Sequence, residues 1–179
     1  FLNFQMMEMK ITFWNLLKQM KKILIIGDSG RGKTTFAKKL SEKLNIPAHD
    51  TDDYFWKVKY TEPNNKEQSV LDISNVYGTS EWIMSGSTRR LLREGFEKAD
   101  IIFYLKFRNI FFQYISIIKR SFKRKEDKLF DLLMHVTRKK YKKGYGGYDV
   151  PLDELIENSG KQVITFYSFK EINNYLNSN

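Results

Sequence analysis

The stretch that decides the fold is Gly27-Asp28-Ser29-Gly30-Arg31-Gly32-Lys33-Thr34, which reads G-x-x-x-x-G-K-T without a mismatch. An apolar run at residues 23–26 precedes it, and residues 33–44 follow with the spacing of an amphipathic helix. A strand, a glycine-rich turn and a helix in this order form a phosphate-binding loop (P-loop), because the glycines let successive backbone N–H groups point at one anion. The helix N-terminus adds partial positive charge. The stretch therefore predicts binding of a nucleoside triphosphate.

The residues of this loop have distinct predicted roles. Lys33 can reach the β- and γ-phosphates, and the hydroxyl of Thr34 can ligate Mg²⁺. The guanine-binding pattern N-K-x-D of GTPases is missing, since Asn65-Lys66-Glu67 is followed by Gln68. A GTPase is therefore not expected, and the sequence leaves the base specificity otherwise open. ATP and Mg²⁺ are the expected ligands of a kinase with this loop. The predicted ATP-binding residues are Gly27, Asp28, Ser29, Gly30, Arg31, Gly32, Lys33, Thr34 and Thr35.

Length and composition are typical of a single globular domain. The chain has 179 residues, of which 41% are hydrophobic and 15% aromatic, enough for one packed core. The sequence contains no cysteine, which excludes disulfides, thiolate metal sites and cysteine nucleophiles. Apolar runs are too short to span a bilayer, and the N-terminal residues lack the pattern of a secretory signal. We expect a cytoplasmic protein with no membrane partner that is a monomer or a small homo-oligomer.

The order of apolar and helical patterns predicts the fold class. Five strands are predicted at 22–26, 46–49, 82–84, 101–105 and 162–166, and helices at 33–44, 66–76, 88–97, 109–124, 126–142 and 169–177. Ser168-Phe169-Lys170-Glu171 has the form of a capping box that starts the last helix. Continuous β-branched runs are typical of a parallel sheet buried on both faces. We predict an α/β protein with a three-layer P-loop NTPase fold, in which a five-stranded parallel sheet carries helices on both faces.

Positive charge is concentrated at residues 106–145. This region has thirteen Lys or Arg and three acidic residues, which accounts for the whole net charge of +10. Three interpretations stay open: a lid that clamps polyphosphate, a nucleic-acid surface, or a solvated helix face. Arg120 and Arg124 lie four residues apart on a predicted helix and share one face. Because guanidinium groups bind phosphate in a bidentate fork, these two arginines are the predicted lid residues.

Two polar clusters follow predicted strands, at the sheet edge where parallel strands bind ligands. Asp50-Thr51-Asp52-Asp53 follows the second strand, and its carboxylates can help to hold Mg²⁺ or accept a proton from a phosphoryl acceptor. A solvated acidic turn is the alternative interpretation. Ser85-Gly86-Ser87-Thr88-Arg89-Arg90 follows the third strand, and its arginines can bind an acceptor phosphate or face water.

These motifs, in this order, resemble the nucleoside-monophosphate-kinase-like branch of P-loop proteins. Residues 82–89 are similar to the adenylate kinase segment that ends D-G-x-P-R, in which Gly86 matches the glycine and Arg89 the arginine that binds the monophosphate. Arg120-x-x-x-Arg124 is similar to the R-x-x-x-R at the start of the adenylate kinase lid. Asp50-Thr51-Asp52 resembles the D-T-D of shikimate kinases, where one aspartate helps to place Mg²⁺ and the other touches the acceptor hydroxyl.

The chain also resembles the adenylate-kinase-related group of DNA topology modulation proteins. The similarity lies in the P-loop, the segment Asp52-Asp53-Tyr54-Phe55-Trp56, the Trp82-Ile83 pair and the basic helix, and covers residues 20–178. Ser85 stands where these families usually have aspartate, and Thr88 where adenylate kinase has proline. The first departure puts the usual magnesium arrangement in doubt, and Asp50 or Asp52 can substitute for it.

The resemblance implies an ATP-dependent kinase that transfers the γ-phosphoryl group to a nucleotide or another small-molecule acceptor. The implied residues are Lys33, Arg120, Arg124 and Asp52 for catalysis, Asp50, Asp52 and Arg89 for substrate binding, and Thr34 and Asp50 for the metal. We predict a P-loop kinase-like domain at 20–179, with its lid at about 106–145, after an N-terminal extension at 1–19. One alternative is a nucleic-acid-associated protein of the topology modulation type, which is less favoured because no nucleic-acid-binding motif is visible. Another is a regulatory ATP-binding protein, which Ser85 suggests.

Overall fold

The computed structural model describes residues 17, 19–27, 30–58, 62–106, 114–115, 117–118, 133–134 and 152–177. Its strands in these ranges are β1 (Lys22–Gly27), β2 (Ala48–Asp50), β3 (Trp56–Val58), β4 (Glu62–Pro63), β5 (Trp82–Gly86), β6 (Ile101–Leu105) and β7 (Gln162–Phe166). Its helices are α1 (Lys33–Leu44), α2 (Thr51–Phe55), α3 (Lys66–Tyr77), α4 (Arg89–Lys98), α5 (Leu152–Ser159) and α6 (Phe169–Asn177). Within the described ranges, none of the helices has the length and hydropathy of a membrane span.

Five strands form one parallel sheet in the order β2-β5-β1-β6-β7, while β3 and β4 pair as a separate antiparallel hairpin. The central strand β1 is in register with β5 through Ile26↔Gly86 and with β6 through Ile26↔Tyr104. Strands β2 and β5 lie on one side of β1, and strands β6 and β7 lie on the other side. Open parallel sheets bind ligands at the carboxyl ends of their strands, where the strand order diverges in this way. The predicted α/β class, with helices around a five-stranded parallel sheet, is confirmed.

Alternate residues of the central strand face two separate hydrophobic cores. Ile25 packs in one core with Phe36 of α1, and Ile26 packs in the other with Tyr77 of α3. All four side chains are fully or almost fully buried. Burial of an aliphatic side chain of this size stabilises the fold by about 1.5–3 kcal/mol. The two cores therefore hold helices against both faces of the sheet.

An aromatic cluster fixes the helix that follows the P-loop. The ring of Phe36 meets Phe103 of β6 edge-on at a centroid distance of 5.2 Å and Phe166 of β7 at 5.6 Å. Tyr175 of α6 lies 5.2 Å from Phe166 in a similar geometry. Edge-to-face pairs add about 0.5–1.5 kcal/mol each beyond the area that they bury. Because Phe36 follows Lys33 by one helical turn, this cluster also anchors the loop.

Most predicted elements are present with small shifts at their ends. The second strand runs over Ala48–Asp50 instead of 46–49, and the ends of α3 and α4 differ from the predictions by one residue. The predicted helix start at Ser168 is confirmed, because the Glu171 N–H donates to Ser168 Oγ at 3.2 Å. The Glu171 carboxylate reaches back to the N–H of Tyr167 at 2.7 Å, one residue before the N–H that a capping box uses. The helices predicted at 109–124 and 126–142 lie mostly outside the described residues.

Three short elements were not predicted: α2, the β3–β4 hairpin and α5. The helix α2 has five residues and the strands of the hairpin three and two, so hydrophobic periodicity carries no signal there. The helix α5 had a readable signal. Leu152, Leu155 and Ile156 follow the i, i+3, i+4 spacing of a buried helix face and pack against the core that contains Trp82.

One residue of the predicted N-terminal extension belongs to a core. Leu17 is fully buried in the same cluster as Ile23 and Phe36, and its carbonyl accepts a hydrogen bond from the Met20 N–H at 3.0 Å. Residues 1–16 lie outside the described ranges, so the proposed boundary at residue 20 stays a prediction.

Candidate active site

The P-loop connects the carboxyl end of β1 to the N-terminus of α1. Gly30 and Gly32 have φ angles of 76° and 78°, in the left-handed region that glycine adopts at least cost. Gly32 is the N-cap of α1 and provides no side-chain cap, so the first N–H groups of this helix are not occupied by a cap side chain. Such a helix N-terminus suits an anion. The described part of the loop, Gly27 and residues 30–35, thus combines left-handed glycines with a helix N-terminus that has no side-chain cap.

Tight packing at Gly27 and Gly32 excludes larger residues from these two positions of the loop. A Cβ at Gly27 would lie 2.6 Å from the Leu105 carbonyl oxygen, and one at Gly32 would lie 2.7 Å from the ring of Phe169. Arg31 is buried, Lys33 is half-buried at the start of α1, and Thr34 and Thr35 are exposed. Asp28 and Ser29, two further predicted ATP-binding residues, lie outside the described ranges.

The Asp50 carboxylate is the centre of the polar network beside the loop. The hydroxyl of Thr34 donates to Asp50 Oδ2 at 2.6 Å, and the hydroxyl of Ser85 donates to the same oxygen at 3.1 Å. The backbone N–H of Asp52 donates to Asp50 Oδ1 at 3.1 Å. Asp50 ends β2 and is in register with Ser85 of β5, while Thr34 lies in the first turn of α1. Adjacent parallel strands and the P-loop helix therefore bring three chemical groups to one carboxylate.

This donor set fits a magnesium ion of the kind that accompanies ATP. A hydroxyl has one proton and two lone pairs, so Thr34 can donate to Asp50 and still offer an oxygen lone pair to a cation. Mg²⁺ prefers oxygen ligands and usually keeps several waters and phosphate oxygens. Among the described residues, no group of three or more His, Cys, Asp or Glu side chains has a metal-binding arrangement. Thr34 and Asp50 would accordingly supply the protein's share of the ligands or hydrogen bonds to bound water.

The acidic segment after β2 is a short helix and not an irregular turn. Asp50 is its N-cap, and Asp52 and Asp53 lie in its first turn, where carboxylates are favoured by the helix dipole. Asp52 is half-buried and Asp53 exposed. Thr51 is fully buried and packs so closely on Gly86 that a Cβ at Gly86 would overlap its side chain. This contact fixes α2 on the end of β5 and sets the position of the two flanking aspartates.

A histidine–tyrosine pair borders the acidic segment. The Tyr54 hydroxyl and His49 Nδ1 are 2.8 Å apart. Burial lowers the pKa of His49, against the opposing effect of Asp53, so the imidazole is neutral at neutral pH. Burial raises the pKa of Tyr54, and the negative charges of Asp53 and Asp72 add to this effect. The pair is therefore uncharged, which leaves the carboxylates as the charged groups of this segment.

The predicted arginines fall in different parts of the molecule. Arg89 begins α4 directly after β5 and is half-buried. Arg90 is exposed and lines a groove of about 470 Å³ that is completed by Lys66, Glu67, Val70, Leu71 and Ser74 of α3. Arg120 and Arg124, the predicted lid residues, lie outside the described ranges. The structure thus brings Thr34, Asp50 and Asp52 together and places Arg89 at the same edge of the sheet.

Comparison with known proteins identifies the class of fold. A shikimate kinase from Acinetobacter baumannii in complex with shikimate matches with a TM-score of 0.54 and 13% identity, over 90% of this chain and 92% of that one. A shikimate kinase from Bacteroides thetaiotaomicron matches with a TM-score of 0.52 and 17% identity, over 88% and 94% of the two chains. The chain therefore has the three-layer fold of the P-loop kinases.

Sequence comparison adds no family to this result. No protein-family model matches the chain, and no curated protein sequence matches it either. At 13% and 17% identity, the similarity to the two shikimate kinases concerns the fold, and the function of this chain has to be argued from its own residues. The resemblance to the DNA topology modulation group stays a prediction.

Proposed function

We propose that the protein is an ATP-dependent small-molecule kinase, which transfers the γ-phosphoryl group of ATP to a small acceptor. The observation that carries the proposal is the convergence of Thr34 and Ser85 on the Asp50 carboxylate, directly beside the P-loop. A P-loop alone indicates a nucleotide, but a carboxylate hydrogen-bonded to the loop's threonine is the arrangement that a magnesium nucleotide requires. The match to the kinase fold agrees with this function.

On the donor side, the loop binds and orients the triphosphate. The N–H groups of the first turn of α1 and the ammonium of Lys33 hold the phosphate oxygens, and Thr34 and Asp50 hold the magnesium ion or its waters. When bound, Mg²⁺ would neutralise negative charge on the β- and γ-phosphates. Arg120 and Arg124 of the basic lid would add charge neutralisation around the transferring group.

On the acceptor side, Asp52 and Arg89 have the proposed roles of base and anchor. An acceptor hydroxyl or phosphate oxygen forms the new bond to the γ-phosphorus while the bond from that phosphorus to the β–γ bridging oxygen breaks, so ADP leaves with the electron pair. Where the acceptor is a hydroxyl, its proton passes to the Asp52 carboxylate. Arg89 would bind an anionic group of the acceptor.

Two classes of acceptor would make different use of Asp52 and Arg89. A nucleoside monophosphate would rely on Arg89 and make no demand on a base, as the resemblance to adenylate kinase implies. A hydroxyl compound with an anionic group would use both Asp52 and Arg89, as the resemblance of Asp50-Thr51-Asp52 to the shikimate kinases implies. Asp52 and Arg89 are both half-buried at the same edge of the sheet, so both acceptor classes belong in the test.

The proposal is tested by ADP formation with a panel of acceptors: nucleoside monophosphates, nucleosides, sugars and hydroxy acids. We expect acceptor-dependent turnover that Lys33→Ala abolishes, because loss of the ammonium removes several kcal/mol of transition-state stabilisation, about 3–4 by analogy with other charge-stabilising groups. Lys38→Ala is the matched control, since Lys38 is an exposed lysine of the same helix. Normal transfer by Lys33→Ala would refute the kinase function.

The alternative is supported in its nucleic-acid-associated form by the charge of residues 106–145, and in its regulatory ATP-binding form by Ser85 in place of aspartate. Its signature would be ATP binding without acceptor-dependent turnover. DNA is then the next ligand, and a binding constant that falls with salt at a slope of several charges would identify phosphate contacts. Retained affinity at high salt would argue against this alternative.

A further inference from the structure

Ser85 is fully buried at the end of β5, at the position where the related families usually have aspartate. At this position β5 offers a hydroxyl where those families have a carboxylate. This hydroxyl donates to Asp50 Oδ2, across the register pair that joins β5 to β2. The carboxylate is thus supplied by the neighbouring strand, and β5 supplies a hydrogen-bond donor to it.

The three donors on Asp50 restrict its carboxylate in complementary ways. Thr34 and Ser85 both donate to Oδ2, while the Asp52 N–H donates to Oδ1. A carboxylate has about four lone-pair sites, so with three donors bound one position on Oδ1 stays available for a magnesium-bound water. Thr34 itself would face the metal, and the Asp52 N–H belongs to the start of a short helix. Ser85 is the donor of this set that comes from the central sheet, the most rigid support available.

We propose that Ser85 is a positioning residue, which orients Asp50 so that the Thr34–Asp50 pair can hold the magnesium ion of the bound nucleotide. This inference rests on the proposed kinase function. The simplest expectation is that an aspartate in place of Ser85 would improve magnesium binding, and the inference predicts the opposite. Ser85→Asp would not restore a missing ligand, because it replaces the hydroxyl that donates to Asp50 with a larger side chain at a fully buried position. We expect this variant to lose magnesium-dependent binding.

The test is the magnesium coupling of ADP binding, which is the ratio of ADP affinities with Mg²⁺ and with EDTA. Ser85→Ala should lower this ratio by about tenfold, the value of one hydrogen bond to a charged group, and leave the affinity in EDTA unchanged because the loop N–H groups are intact. In an Asp50→Asn background, Ser85→Ala should have no further effect. An unchanged ratio in the single variant, or additive losses in the double variant, would overturn the proposal.

Two controls separate positioning from a general structural effect. Ser69→Ala removes another fully buried serine hydroxyl, which donates to the carbonyl of Asn65, the N-cap of α3, and should leave the magnesium coupling unchanged even if stability falls. Ser85→Thr and Ser85→Val are nearly equal in shape and differ in the hydroxyl, so the threonine variant should retain more coupling than the valine variant. Equal coupling in this pair would overturn the proposal even if Ser85→Ala did not fold.

Failure of the proposed function gives a different result. If the wild-type protein shows no magnesium-coupled binding of ADP, the kinase proposal fails, and the role of Ser85 fails with it. If the wild-type protein shows coupling that Ser85 variants do not change, the kinase proposal stands and only the positioning role is refuted.

Discussion

Two glycines beside the candidate site, Gly32 and Gly86, are required for different physical reasons. Gly32 has a φ of 78°, a conformation that other residues adopt only with strain. Gly86 is not among the described glycines with positive φ, and its requirement is space, because the Thr51 side chain lies where a Cβ would be. The first requirement is local to the backbone, whereas the second arises from a contact between two elements. The comparison predicts that changing a partner can relieve most of the second requirement, but of the first only the part that arises from the Phe169 contact.

The largest expected effect in this comparison is that of Gly86→Ala. The added methyl group would displace Thr51 and with it α2, so we expect a loss of about 3 kcal/mol of unfolding free energy, near the upper end for overpacking. Magnesium-dependent ADP binding should fall too, because Asp50 and Asp52 flank Thr51. Denaturant unfolding and ADP titration measure the two effects.

The control for this prediction is Gly78→Ala, at an exposed glycine with an ordinary φ of −77°. Thr51→Ala should relieve part of the clash, so Gly86→Ala should cost less in that background than in the wild type. Equal costs in the two backgrounds would show that Thr51 does not set the requirement at Gly86.

The contrast between the two glycines also explains how much the sequence could reveal. The P-loop motif encodes a backbone conformation within eight residues, so the loop, its helix and the flanking strand were all predicted. The hydrogen bond between Ser85 and Asp50 joins residues 35 positions apart and depends on the register of β2 with β5. The sequence predicted that both residues lie at the ligand edge of the sheet. It did not predict the bond between them, because the bond requires β2 and β5 to be neighbours, and the spacing of strands along the chain does not determine which strands are neighbours. From the sequence alone, Ser85 therefore suggested only that a magnesium-binding aspartate is missing.

Gly32→Ala is expected to have a smaller effect on stability and a specific one on binding. Forcing alanine to a φ of 78° costs about 1–2 kcal/mol, and the new methyl group would push on the Phe169 ring. ADP affinity should fall by about tenfold as the loop N–H groups shift, which corresponds to ~1.4 kcal/mol. Calorimetric titration with ADP measures this change.

Gly160→Ala is the matched control for Gly32→Ala. Gly160 has a φ of 61°, and no atom lies within 4 Å of an added Cβ, so this variant isolates the conformational strain. Adding Phe169→Ala to Gly32→Ala should recover the difference between the two variants and no more. Full recovery of stability would show that space, and not backbone conformation, dictates glycine at both positions.

Thr51→Val examines the other side of the Gly86 contact. Thr51 Oγ1 is buried and has no hydrogen-bond partner among the described residues. Replacing the hydroxyl with a methyl group of similar shape should raise the unfolding free energy by about 1 kcal/mol, because an unsatisfied buried hydroxyl is removed. Transfer activity should not change, since the side chain is fully buried. A stability loss in urea unfolding would mean that the hydroxyl makes an interaction that matters.

Glu94→Gln has the smallest expected effect. It complements the two glycine variants because it changes a contact between α3 and α4 that lies away from the loop. The Glu94 carboxylate accepts from the Ser74 hydroxyl at 2.5 Å and pairs with Lys98 at 2.6 Å. Burial acts to raise the pKa of Glu94, but the hydrogen bonds from Lys98 and Ser74 and the charge of Lys98 hold it below its ordinary value.

A lowered carboxyl pKa in the folded state adds stability above the ordinary pKa, and this stability disappears as the pH falls through the folded-state pKa. The variant should thus be less stable than the wild type at pH 7, by about 0.5–1 kcal/mol, and the difference should shrink as the pH falls below the ordinary pKa of the carboxyl group. ADP affinity at pH 7 should be unchanged, because the contact ties α3 to α4 without touching Asp50. Unfolding curves over a series of decreasing pH values measure this difference, and a stability gap that does not shrink as the pH falls would show that packing of Glu94, and not its charge, links the two helices.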